Sequence, residues 1–308
     1  MTSPSEVFDS GSIVGPGDTI LLPLMGYPSE RDAVFIALVV AEYFGSNLAV
    51  FHIYSGSEKT ENVFHDHINW LQEQAKKMHV PLDIVIKNNS LKQPIHKCIL
   101  EHIEELCPKL TVMMRRKKGL FHQLFGSIAE RVARKSPYSV MIVRSPIKDW
   151  VARPHLNPTD IVVPIGPSTP SEIAAAQIAI AIANAGSSQD ATITLLHVIV
   201  VPETVPIIPE EDEMLIQEEK EFIKKAGEYG VLMLFPMDTR VIVGRDIGRS
   251  VRHYANSEQV DLIVMGVPYL PRKIFGLYGT DTSEIFNNSN CPVVMLFNKG
   301  LGFHLIKE

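Results

Sequence analysis

The stretch VMGVPYLPRKIFGLYGT, residues 264–280, decides how the rest of the chain is read. It runs from the end of an apolar strand, Leu262 to Met265, through Gly266 and an irregular loop to a helix start at Gly279 and Thr280. Glycine lets backbone come close to a ligand, and the unpaired amides of a helix's first turn attract anions. Thr280, Thr282 and Ser283, set around Asp281, could cap that helix or donate to a phosphate oxygen. An ordinary strand-to-helix loop with an N-cap accounts for the same residues.

The same layout recurs nearer the N-terminus. GSIAERVARKSPYSVMIV, from Gly126, aligns without a gap on GTDTSEIFNNSNCPVVML, from Gly279, so the chain is a tandem repeat. Its 308 residues suit two domains, each large enough to bury a core. With 45% hydrophobic residues, 21% charged residues and a net charge of -6, the composition is that of a globular protein and weakens a general nucleic-acid role. Cys98, Cys107 and Cys291 are odd in number and widely spaced, which suits free thiols in a reducing, cytoplasmic setting. No apolar run is long enough to span a bilayer, so direct membrane insertion is not expected.

Hydrophobic periodicity orders the first repeat. Strands are predicted at Asp18–Leu24, Leu48–Tyr54, Leu82–Ile86, Leu110–Met114 and Ser139–Arg144. Between them lie helices over Ala33–Phe44, stopped by Gly45, then roughly Asn62–Met78, Gln93–Leu106 and the stretch after Gly126-Ser127. The second repeat follows in the same order. Its strands are Asp160–Ile165, Thr192–Val200, Thr239–Val243 and Asp261–Met265, followed by the β-rich run PVVML. Its helices are Ser171–Asn184, a charged one at Glu211–Glu228, Ile247–Ser257 and the one from Gly279. Alternating strands and helices imply α/β architecture: in each half a five-stranded, doubly wound parallel sheet covered on both faces. The expected divisions are a flexible lead (1–17), a first domain (18–146), a proline-bearing linker (147–158), a second domain (159–298) and a tail (299–308).

Both halves resemble universal stress protein domains. The likeness rests on LLPLMG and VVPIG, FHIY and LLHVI, VDLIVMG, and the two GS/GT helix-to-strand segments. It implies a Rossmann-like sheet of the adenine nucleotide alpha hydrolase kind and intramolecular pairing of the two domains through their last strands. In one branch of the family ATP or AMP binds at the strand tips; another branch has lost the motif. The apolar runs SVMIV and PVVML would expose unpaired backbone unless covered, which argues for the same pairing. The nucleotide-binding pattern is Gly, two residues, Gly, nine residues, then Gly with Ser or Thr. The second half supplies Gly266 and Gly279-Thr280 but carries Tyr269 at the middle glycine. The first half has Met114 in the first position, a shorter loop, and Gly126-Ser127 intact. Where the family's adenine-contacting Asp would sit stand Met25 and Gly166. The resemblance therefore places the expected site in the second half, through Pro164, Ile165, Gly166, Val198, Met265, Gly266, Tyr269, Gly279, Thr280 and Thr282.

Other features have plainer readings beside functional ones. Arg115-Arg116-Lys117-Lys118 could hold an anion, and a solvated basic loop explains it as well. His52 and His197 recur at equivalent strand ends, where a histidine more often packs or hydrogen-bonds than catalyses. His65-Asp66-His67 invites a metal, yet residues two apart on a helix point to different sides. The spacing assigns no nucleophile, base or metal set, which argues against a dedicated enzyme. The expectation is a cytoplasmic stress-related regulatory or binding module, with a homodimer or a protein partner as further associations. A weak ATP-hydrolysing switch and the soluble regulatory part of a membrane transporter are the alternatives.

Overall fold

In the computed structural model the chain is described at residues 13–54, 58–89, 93–115, 128–145, 158–166, 170–185, 191–204, 206, 217, 237–267 and 279–299. It divides into two compact units. One comprises Met1–Arg144 together with Phe297–Glu308, and the other Ser145–Leu296.

The first unit is built on five strands, β1 (Thr19–Leu24), β2 (Asn47–Tyr54), β3 (Leu82–Asn88), β4 (Leu110–Met114) and β5 (Ser139–Arg144). Their order is β3-β2-β1-β4-β5. β1 pairs with β2 and β4, β2 with β3, and β4 with β5, all in parallel. The interior strands are runs of Leu, Ile, Val and Met because both faces are covered, and every residue of β5 is buried. The covering helices are α1 (Arg31–Phe44), α2 (Glu58–Lys77), α3 (Ile95–Leu106) and α4 (Ile128–Lys135). β3 is an edge strand, and its exposed residues Asp83, Ile86 and Asn88 are interspersed with half-buried ones.

The second unit repeats this plan with β6 (Asp160–Pro164), β7 (Thr192–Val200), β8 (Met237–Gly244), β9 (Leu262–Val267) and β10 (Val293–Phe297). Strand order is β10-β9-β6-β7-β8, the mirror in sequence terms of the first half's order. β6 pairs in parallel with β7 and β9, and β7 with β8. Its described helices are α5 (Pro170–Ala185), α6 (Ile247–Ser257) and α7 (Gly279–Asn288). α5 is apolar on nearly all sides, and every side chain from Ala174 to Ala183 is buried, the polar Gln177 included. Such a helix is held by its surroundings rather than by one amphipathic face. The charged helix expected over Glu211–Glu228 lies outside the described residues apart from Gln217, which is helical.

The last strand runs past Leu296 into residues that belong to the first unit. There the Lys299 amide donates to Ser139 Oγ (3.0 Å), and the Ser139 hydroxyl donates to Asn298 Oδ1 (3.3 Å). The Lys299 ammonium donates to the carbonyls of Ala133 and Ser136, at the C-terminal end of α4, where a cation complements the helix dipole. Burial lowers the Lys299 pKa to about 8.

Two glycines with positive φ separate backbone conformation from packing. Gly17 (φ +77) has nothing within 4 Å of where a Cβ would stand, whereas at Gly26 (φ +85) a Cβ would lie 2.6 Å from Phe64 Cα. Gly17→Ala is expected to cost about 1 kcal/mol from conformation alone, and Gly26→Ala about 3 kcal/mol or more, because the backbone of α2 must also move. Urea unfolding of the two variants side by side measures the difference; equal losses would show that α2 does not press on Gly26.

Candidate functional site

The C-terminal ends of the parallel strands form a crest in each half, the usual place for ligands in open α/β sheets. In the second half β6 ends at Pro164, and Ile165 and Gly166 lead off it. The Ile165 amide donates to the Leu196 carbonyl (2.9 Å), continuing the parallel ladder. His197 Nδ1 lies 3.0 Å from the Ile165 carbonyl; a carbonyl only accepts, so the imidazole proton on this contact sits on Nδ1. One position on, the Gly166 amide donates to Glu172 Oε1 (2.9 Å), so a carboxylate from the first turn of α5 reaches back to the tip of β6.

The first half repeats these contacts. His52 Nδ1 donates to the Leu24 carbonyl (3.0 Å), the position equivalent to Ile165. Glu30 accepts from the Met25 amide and, at 2.9 Å, from the Tyr27 amide. Both carboxylates sit in the tripeptide Pro-Ser-Glu, residues 28–30 and 170–172, at the head of each half's first helix. Spacing rules for glycines and hydroxyls pass over these two acids; the signal that finds them is the recurrence of the tripeptide just after each first strand.

Gly266 is the penultimate residue of β9, and there the structure supplies a packing reason for the missing side chain. A Cβ at this position would collide with the Ser171 carbonyl and stand 2.7 Å from the Glu172 nitrogen. The first turn of α5 is thus seated directly on the end of β9. Met114, the counterpart in the first half, is half-buried at the end of β4. Met265 is buried beside Gly266, and Val198 is buried in β7 in register with Ile242.

At the start of α7, Thr280 is exposed and Asp281, Thr282 and Ser283 are half-buried. Asp281 does structural work. Its Oδ1 lies 3.4 Å from the Gly248 amide at the head of α6, and a Cβ at Gly248 would meet the Asp281 backbone at 2.7 Å. Arg252 and Glu284 join the same two helices at 3.2 Å. α6 carries its own cap, Asp246, which accepts from the Arg249 amide at 2.7 Å. Tyr269, like Gly126 and Ser127, lies outside the described residues.

The two crests differ in what covers them. In the first, His52 is fully buried and stacked on Phe64 of α2, with ring centroids 3.7 Å apart, and the Gly26 backbone touches Phe64. Arg115, the first of the basic run, has its Nε 3.5 Å from the buried Glu130 in the first turn of α4; residues 116–118 lie outside the described residues. In the second, His197 is half-buried, and among the described residues only the Glu172 carboxylate comes within 4 Å of a Cβ at Gly166. Among the described residues no group of three or more His, Cys, Asp or Glu side chains could hold a metal ion. His65 and Asp66 are exposed while His67 is buried, so the triplet is split between two sides of α2.

The sequence profile of the universal stress protein family matches residues 17–144 and 158–296, and the chain belongs to that family as two such domains in tandem. Among solved structures, a universal stress protein from Archaeoglobus fulgidus is 13% identical with a TM-score of 0.57, over 92% of this chain and 97% of that one. A functionally unknown protein from Pseudomonas aeruginosa is 14% identical with a TM-score of 0.59, over 92% and 93%. A universal stress protein solved in complex with cAMP is 19% identical over 42% of this chain and 98% of that one, with a TM-score of 0.36. At these identities the first two likenesses show the shared fold. No curated protein matches the chain.

His67 gives this part of the first unit a pH signature. It is buried beside Trp70, whose ring carries the Arg31 guanidinium 5.0 Å from its centroid. Burial first, and the Arg31 charge second, lower its pKa from 6.5 to about 4. As pH falls below 6.5 the unfolded chain takes up this proton before the folded one does, so stability declines from there toward pH 4. His67→Gln is expected to remove about 2 kcal/mol of that decline, after discounting for solvent screening. Unfolding free energies of the wild type and the variant across this range provide the test; parallel curves would count against it.

Proposed function

We propose that this chain is a regulatory binding module that takes a small ligand, an adenine nucleotide such as AMP or ATP, at the crest of its second half, while its first half serves as scaffold. The observation that supports this reading is the difference between the crests. Around Gly26 the backbone of α2 fills the space a ligand would need, and His52 is sealed against Phe64. Around Gly166 the Glu172 carboxylate is the near neighbour among the described residues, and Thr280 is exposed at the head of α7.

In this arrangement Gly166 and Val198 flank the base, and Gly279 and Thr280 face the phosphate, with the amides of the first turn of α7 favouring its charge. Pro164, Ile165, Met265 and Gly266 form the floor, and Thr282 its flank. The thiols of Cys98, Cys107 and Cys291 are unbridged, in keeping with a reducing cytoplasm. Among the described residues no helix is long and apolar enough to cross a membrane.

Calorimetric titration of AMP and ATP into the full chain and into Gly279→Trp tests the assignment. Binding is expected in the intact chain and a loss of at least about tenfold in the variant, roughly 1.4 kcal/mol. Equal affinity in both, or no binding in the intact chain, would defeat it. Steady release of inorganic phosphate from ATP would turn the module into a hydrolysing switch.

A further inference from the structure

We propose that the first turn of α5 is a strap that keeps anionic groups off the tip of β6, fastened by the Glu172 carboxylate on the Gly166 amide. The proposal rests on the second half being the ligand-binding half, and its test is independent of nucleotide.

A carboxylate on a backbone amide makes the same contact that an incoming phosphate or carboxylate would make, with the same charge and the same acceptor geometry. The strap has two attachments. Glu172 bonds the Gly166 amide at 2.9 Å, and the Ser171–Glu172 backbone rests on Gly266, where no side chain fits. One turn of helix therefore crosses from β6 to its neighbour β9 and is held at both tips. An anion reaching the β6 tip must displace a carboxylate that is covalently tethered there, and so present at high effective concentration.

The contact has been built twice, which separates it from an accident of one loop. Glu30 reaches back five residues to Met25, and Glu172 reaches back six to Gly166, yet both end on the amide that follows the residue bonded by the strand-end histidine. The two differ in depth. Glu30 holds the Met25 and Tyr27 amides and is 3% exposed, whereas Glu172, which holds the Gly166 amide, is half-buried. The first strap is built in permanently. The second is the one that a ligand can unfasten, and its release frees the head of α5 to move.

The experiment follows the backbone amide resonance of Gly166 in the full chain during titration with inorganic phosphate, comparing wild type with Glu172→Ala and Glu172→Gln. In wild type the resonance is expected to stay put until phosphate is in large excess. In both variants it is expected to shift with an affinity at least about tenfold higher. A folded Glu172→Ala chain whose Gly166 resonance ignores phosphate as the wild type does would overturn the strap; should that variant not fold, Glu172→Gln is held to the same criterion. Equal phosphate affinity in wild type and variant would also overturn it. A phosphate response confined to the variants, with no AMP binding to wild type, would uphold the strap and remove the nucleotide reading alone.

Discussion

Beyond the last rung of a parallel ladder the strand amides and carbonyls have no neighbouring strand to bond, and those groups need other partners once the connecting loops fold over them. In this chain the partners are its own side chains. Glu30 and Glu172 take amides at the first-strand tips, His52 and His197 take the carbonyls beside them, and Asp246 and Asp281 take amides at the head of α6. Glu30 and Glu172 tie the end of a strand to the start of a helix, the two histidines tie neighbouring strand ends, and Asp281 ties α7 to α6. The connection between the sheet and the helices covering it is thereby fixed at the crest, where a ligand would otherwise supply the missing charge.

This arrangement gives the glycines of the family motif two separable meanings. Glycine at a strand end can leave a gap for a phosphate, or it can let another piece of backbone fill that gap. Gly266 shows the second use, since the Ser171 carbonyl occupies the place its side chain would need. Gly26, which is not part of the motif, packs in the same way against Phe64. Divergence within a family that keeps its fold can thus retain a glycine while changing what lies against it.

The interior strands were legible from sequence because burial on both faces leaves an uninterrupted apolar run. β4, β5 and β7 begin and end where periodicity placed them, as does α6. Edge strands were read short. β3 extends to Asn88 and β8 spans Met237–Gly244, because polar residues such as Asp83, Lys87, Asp238 and Arg240 break up the apolar signal without breaking the ladder. At the crest, glycine spacing marks Gly266 and Gly279 but does not say what fills the space beside a missing side chain. The reach of Glu172 across six residues depends on how the loop folds, so only the repeated Pro-Ser-Glu hints at it. Histidine pairing was partly legible: recurrence of His52 and His197 marked them, and their carbonyl partners emerged only with the strand register.

The anchoring of Lys299 bears on biosynthesis. Ser139 and the carbonyls that close α4 find their partners in residues translated more than 150 positions later. The N-terminal half leaves the ribosome first and yet acquires its final bonds last, after the whole second repeat has been made. A nascent chain stopped before Lys299 lacks these bonds, so such truncated products are marked by a defect in the half that looks complete.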